Sequence, residues 1–208
     1  MSGFRRLLGR KPFDGITMDD LARASGLSVG TLYNHFGSKD GVVMAYCADR
    51  MKEAFASARS VVADPPPSTA EALFSLLDIY MRGFGGMDRG MLNYLGRILV
   101  ESRLSGGGKP GFQEQGIQQL RSLLARLREM GLLSGEASEE AVSFLLFGLF
   151  SDLLFQYSLC PSVTLEEQRW KLEQFVNLVN TGLARRDDPG AESTGGDDAA
   201  SRRLRRSK

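Results

Sequence analysis

Residues 16–39 read ITMDDLARASGLSVGTLYNHFGSK, and the spacing within this stretch decides the fold. Thr17 stands three residues before Asp20, the arrangement in which a threonine hydroxyl caps a helix while the carboxylate reaches back to the cap's own amide. Met18, Leu21 and Ala22 follow at helical spacing and face inward. Gly26 closes this helix, because glycine takes the left-handed conformation of a helix end without a Cβ penalty. Leu27 is expected as an apolar plug at the corner. Ser28 then caps a second short helix through about His35, with Leu32 and Phe36 packing back. Two short helices joined by a glycine turn make a helix-turn-helix, whose second helix has the size to enter a DNA major groove.

The outward residues of that second helix are Gly30, Thr31, Tyr33, Asn34 and His35, with Ser28 and Val29 at its start. They are small where the backbone would approach DNA and hydrogen-bonding beyond it. Ser38 caps the next helix, whose N-terminal amides and Lys39 offer a positive site for a phosphate.

Outward from this stretch the chain stays helical, and no strand-like alternation persists. Apolar residues from Val43 to Val62 mark one helix face, which ends at Asp64-Pro65-Pro66-Pro67 because prolines lack the amide donor a helix needs. Ser68 and Glu71 read as a capping box for a helix with the stripe Leu73, Phe74, Leu77, Tyr80, Met81 and Phe84, broken by the glycines at 83–86. A helix from about Asp88 to Ser102 follows, then a flexible loop over 105–111 and a helix ending near Gly131. Ser138 opens a helix through Leu159 that is apolar nearly all round and is therefore expected to be buried on more than one side. Thr164 and Glu167 form a capping box for the last helix, with Leu165, Leu172, Phe175, Val176, Val179 and Leu183 inward. The organisation expected is a helix-turn-helix domain over 1–46, a helical ligand-binding and dimerisation domain over 47–186 and a disordered tail over 187–208. The tail's basic run from Arg202 is more often solvated than active.

Charge divides along the same lines. Residues 1–52 carry eight basic and five acidic side chains, and residues 53–184 eleven and fifteen. A basic head on an acidic body suits a nucleic-acid-facing module, although differences this small carry little weight alone. Cys47 and Cys160 lie far apart without ligand-type neighbours, so both are expected as buried thiols in a reducing compartment. The apolar stretch 141–150 is too short to span a bilayer before Asp152 and Gln156, and no secretory signal is evident. The chain is expected to be soluble and cytoplasmic. No nucleophile–base pair, phosphate-binding loop or metal-ligand cluster stands out, so neither an enzyme nor a cofactor or metal is expected.

Thr17-Met18-x-Asp20-Leu21-Ala22, Ser25-Gly26-Leu27-Ser28, Gly30-Thr31-Leu32-Tyr33-x-His35-Phe36 and Ser38-Lys39 together resemble the DNA-binding signature of the tetracycline-repressor (TetR/AcrR) family. The resemblance covers about the first quarter of the chain. It implies an all-α homodimer in which three N-terminal helices bind operator DNA, a fourth links to a ligand-binding core, and the last two helices (about 139–160 and 165–184) build the dimer interface. Carried over position by position, it puts Thr17, Ser28 and the 30–35 helix on the operator, with Tyr33, His35 and Lys39 at phosphates. It departs in the first helix, where only residues 1–11 precede the Pro12-Phe13 corner. Leu7 and Leu8 keep the expected apolar pair.

The function this implies is a transcriptional regulator, expected to be a repressor released from its operator by a small lipophilic or aromatic effector. The alternative is a helical dimerisation or scaffold protein using the same fold for protein contacts. The exposed Thr31, Tyr33, Asn34 and His35 argue against it, since a protein interface favours larger apolar anchors. The aromatic and methionine stripe through the middle of the chain is core packing by default. If part of it lines a cavity, the candidates are Phe74, Leu77, Tyr80, Met81 and Phe84, then Met91, Tyr94, Leu95 and Ile98, with Phe147 and Phe150 opposite. Arg97 and Glu101 read as a surface pair one turn apart. Asp152 and Gln156 have three open roles: crossing the dimer interface, orienting a ligand, or sitting at a solvated edge.

Overall fold

The computed structural model describes Leu7 and residues 13–106, 111–133 and 138–183. The remaining residues expected in a first helix, the expected corner at Pro12, most of the loop expected over 105–111 and the tail expected over 187–208 lie outside the described residues. Among those described there is a 3-10 turn at Phe13–Gly15 and eight α-helices, without a strand. They are α1 (Met18–Ser25), α2 (Val29–Phe36), α3 (Lys39–Ala63), α4 (Thr69–Gly85), α5 (Arg89–Leu104), α6 (Gly111–Glu129), α7 (Glu139–Leu159) and α8 (Leu165–Leu183).

The helix starts follow the capping chemistry of the sequence. Thr17 Oγ1 accepts from the Asp20 amide at 3.2 Å, and the Asp20 carboxylate accepts from the Thr17 amide at 3.0 Å. Thr164 and Glu167 repeat this reciprocal pair at the start of α8. Ser28, Ser38, Ser68 and Ser138 each accept one orphan amide at the heads of α2, α3, α4 and α7. Gly26 ends α1 at φ 71°, in the left-handed region. Leu27 does not plug the corner: it is 44% exposed, and the residues buried on either side of the turn are Leu21, Ala22 and Leu32. The turn is closed by backbone, the Leu27 amide donating to the Ala22 carbonyl at 3.1 Å.

The centre of the body is α4 against α3 and α6. Leu73, Leu76, Leu77, Tyr80 and Met81 of α4 and Leu120, Leu123, Leu124 and Leu127 of α6 are buried almost completely. Each such side chain contributes roughly 1.5–3 kcal/mol by leaving water. α4 ends within the glycine run at 83–86, its last residue being Gly85 and its C-cap Gly86. Two of these glycines also permit close approach. A Cβ at Gly83 would stand 2.9 Å from Met51 Sδ on α3, and one at Gly85 would collide with Leu165 of α8. On its far side α4 meets α8, where the buried Asp78 accepts two bonds from the Arg169 guanidinium and pairs with Arg82 at 2.6 Å. α5 packs on α7, and α7 on α6 and α8.

Candidate nucleic-acid interface and effector cavity

On the helix-turn-helix, Thr17, Ser28, Gly30, Asn34 and His35 are exposed, Tyr33 is 49% exposed, and Val29 and Thr31 are half-buried. Ser28 Oγ and Thr31 Oγ1 lie 2.8 Å apart, so the cap also orients the first polar side chain of α2. Leu32 is buried beneath, which leaves the opposite side of the helix as a polar outward face.

Lys39 departs from the arrangement expected of it. Its ammonium is turned inward, donating to the Phe13 carbonyl at 3.0 Å and lying 4.4 Å and 4.8 Å from the ring centres of Phe13 and Tyr94. Two aromatic faces and a carbonyl make a favourable seat for a cation. Tyr94 is likewise not where the sequence placed it. Its ring meets Phe13 edge-on at 4.8 Å and carries the Arg97 guanidinium at 4.4 Å, while its hydroxyl donates to Asp40 Oδ1 at 2.7 Å. Burial first, and then the bond to the Asp40 carboxylate, push the phenol up to about 12. Tyr94 thus joins α5 to the start of α3 and faces away from the cavity. Arg97 also pairs with Glu101 at 3.8 Å on the surface, as their spacing suggests.

A cavity of about 250 Å³ lies between α5, the start of α6 and α7. Of the eleven residues expected to line it, Phe84, Leu95, Phe147 and Phe150 do so. Leu77, Tyr80, Met81 and Met91 are instead packed in the core, and the half-buried Phe74 and Ile98 do not border the cavity either. The reason lies in α4, whose stripe faces α3 and α6. There the Tyr80 hydroxyl donates to Gln119 Oε1 at 2.5 Å, and Gln119 donates in turn to the Phe55 carbonyl at 3.0 Å. The lining that sequence reasoning missed comes from α5 beside Leu95 (Leu92, Gly96, Leu99, Val100), from Phe112 and Gln113, and from Ser151, Leu154, Phe155 and Ser158, while Asp152, for which a ligand-facing role was open, borders the cavity too. Gly96, set between leucines one turn either side, was the available signal: it faces the Phe155 ring.

α7 is also not buried on every side. Val142, Leu146, Phe150 and Leu153 pack inward, but Phe144 is 76% exposed and Leu145, Phe155 and Leu159 are exposed as well. Trp170 and Leu178 of α8, two turns apart, are exposed as well. By length and a mean hydropathy of 1.5, α7 could cross a membrane, although its inner face is packed against the body. Asp152 and Gln156 lie toward the open side of this helix, Gln156 donating to the Asp152 carboxylate at 2.6 Å. The two cysteines differ. Cys47 is buried, with its thiol pushed up to about 12 by burial, whereas Cys160 is exposed because it caps the end of α7 instead of lying within a helix.

Residues 2–46, which contain the whole outward polar face of α2, match the family model of bacterial regulatory proteins, tetR family. Over that stretch, a little under a quarter of the chain, the sequence is similar to the tetR family. Among curated relatives, the chain is similar to the HTH-type transcriptional regulator EthR of Mycolicibacterium smegmatis, 32% identical over 81 residues, 39% of this chain and 37% of that protein. It is similar also to AlkX of Mycobacterium tuberculosis, another HTH-type transcriptional regulator, 41% identical over 54 residues, 24% of this chain and 26% of that protein. The chain therefore matches between about a quarter and little more than a third of the length of these relatives. Its overall fold is that of solved TetR-family regulators. One from Pectobacterium atrosepticum aligns with a TM-score of 0.63 at 20% identity, over 88% of this chain and 91% of that one. FadR of Thermus thermophilus, a TetR-family repressor solved with lauroyl-CoA, aligns at 0.65 and 20% identity, over 91% and 96%.

Proposed function

We propose that this chain is a homodimeric transcriptional regulator, a repressor whose grip on operator DNA is weakened by a small molecule in the α5–α7 cavity. The observation that carries the reading is the exposed polar face of α2 within the stretch similar to the tetR family. In this reading Thr17, Ser28, Val29, Gly30, Thr31, Tyr33, Asn34 and His35 contact the operator. Lys39 instead holds the domain to α5 through Phe13 and Tyr94.

The exposed apolar surface of α7 and α8 supports the dimer. Two such surfaces pressed together bury Phe144, Leu145, Leu159, Trp170 and Leu178, and they set two recognition helices about one turn of DNA apart. α5 supports the link between sites. One side of it borders the cavity through Leu92, Leu95, Gly96 and Leu99, and the other carries Tyr94 against Asp40 and Lys39. A ligand that fits one placement of α5 better than another shifts the domain toward that placement, and only by its difference in affinity.

Fluorescence anisotropy on the protein's own upstream DNA tests the reading. Binding at moderate salt is expected to be on the order of a thousandfold tighter than to a scrambled duplex. Equal affinity for the two duplexes sinks it.

A further inference from the structure

The cavity's own chemistry narrows what it can hold. Its walls are apolar and aromatic, from Leu92, Leu95, Leu99, Phe112, Phe147 and Phe150, and its volume of about 250 Å³ suits a molecule of one or two rings or a short chain. Among the described residues that line it there is no lysine, arginine or histidine, and the single charged group is the Asp152 carboxylate. Ser151 and Ser158 also border it, but both hydroxyls donate within their own helix, to the carbonyls of Phe147 and Phe155.

Gln113 is different. It lies in the first turn of α6, only 4% exposed and bordering the cavity, and its amide makes no hydrogen bond among the described residues. Its amide reaches into the cavity, so the donor and the acceptor it offers are open to a polar group of a ligand placed there. A carboxylate entering here would lose its water, meet no cation among the described lining residues and approach Asp152, so it is disfavoured on two counts.

Resting on the reading of the cavity as an effector site, we infer that the effector is a small neutral lipophile with one hydroxyl, carbonyl or amide group that hydrogen-bonds Gln113. Carboxylic acids and acyl thioesters of coenzyme A are disfavoured. This separates the chain from the FadR of T. thermophilus, whose structure holds lauroyl-CoA on the same fold. The mouth of the site lies at Val100, Asp152 and Phe155, all exposed on the outer side of α5 and α7.

The test is calorimetric titration of the full chain near neutral pH with octanol, octanamide, octanoate, ethylbenzene and lauroyl-CoA. Octanol and octanamide are expected to bind, octanoate roughly tenfold or more weaker, and lauroyl-CoA not at all. Gln113→Leu is expected to lower octanol affinity about tenfold while keeping that for ethylbenzene. Gln113→Met repeats the test with an unbranched side chain of similar length, should the leucine disturb packing. Asp152→Asn is expected to narrow the gap between octanol and octanoate. The assignment is overturned if octanoate or lauroyl-CoA binds as tightly as octanol. It is equally overturned if neither neutral probe binds, or if both Gln113 variants leave the octanol-to-ethylbenzene ratio unchanged. Anisotropy on the upstream DNA with the same preparations separates the two levels. Specific operator binding that persists confines the failure to the ligand class, and its absence removes the regulator reading itself.

Discussion

On α2 the outward side chains are those of Asn34, His35 and Tyr33 beside the bare backbone of Gly30, whereas on α7 and α8 they are Phe144, Leu145, Leu159, Trp170 and Leu178. Both surfaces are open to water in the single chain, and their chemistry points to different partners. A DNA groove is lined with hydrogen-bonding edges and charged phosphates, so a helix that reads it gains from small and polar groups. A second protein surface offers only apolar area to match, so large hydrophobic side chains that would be a liability in solution become anchors. Exposure alone identifies neither surface; exposure together with residue type separates them.

The largest effect is expected from breaking the apolar face. Phe144→Asp with Leu145→Asp touches side chains that are mostly in water already, so the fold of each chain should survive. Sedimentation is expected to show the mass of a single chain, and operator affinity to fall by roughly a hundredfold as the second half-site contact is lost. A dimer that persists would move the interface elsewhere on the molecule.

The converse substitution acts on the polar face. Tyr33→Ala with Asn34→Ala is expected to weaken operator binding by at least about tenfold, from roughly 1–3 kcal/mol per lost contact, while sedimentation still reports a dimer. The two double variants therefore differ in which property each one spares.

How far these faces were legible in the sequence follows the range of the forces involved. Capping is local, so Thr17, Ser28, Ser38, Ser138 and Thr164 announced their helices, and the polar row of α2 followed from the period set by Leu32. The cavity was not local. Phe74, Leu77, Tyr80 and Met81 have the right chemistry for a pocket wall, but which side of α4 meets α3 and α6 depends on contacts as distant as Gln119 with Phe55. Lys39 shows the same limit. Its sequence position suggests a phosphate, and only the packing of Tyr94 from α5 reveals an inward seat. The helix that reads as apolar nearly all round, α7, is so for two reasons at once, one half packing on several neighbours in the chain and the other facing outward.

A smaller and more local contrast concerns the caps. Ser28→Ala and Ser138→Ala each remove one bond to an orphan amide and should each lower stability by about 1 kcal/mol in denaturant titration. Only Ser28→Ala is expected to weaken operator binding as well, by several-fold, because the turn it frays carries Thr31 and precedes Tyr33. Equal effects of both on DNA would mean that α2 is not the reading element.

The smallest expected effect lies where the two regions meet. The Tyr94 phenol stands at about 12 in the folded chain against 10.0 unperturbed, so the folded state holds its proton more tightly than the unfolded one. The stability this contributes is fully present below pH 10 and is lost as pH rises toward 12. Tyr94→Phe keeps the ring beneath Lys39 and Arg97 but removes the hydroxyl that donates to Asp40. It should therefore decline less steeply than the parent across that window in alkaline denaturation. At neutral pH it should cost about 1 kcal/mol or less, since the side chain is only half-buried and water competes for Asp40. Identical alkaline profiles would show that the bond to Asp40 does not hold α5 to the start of α3. The tie would then rest on Lys39 between the two rings and on the edge contact of Phe13 with Tyr94.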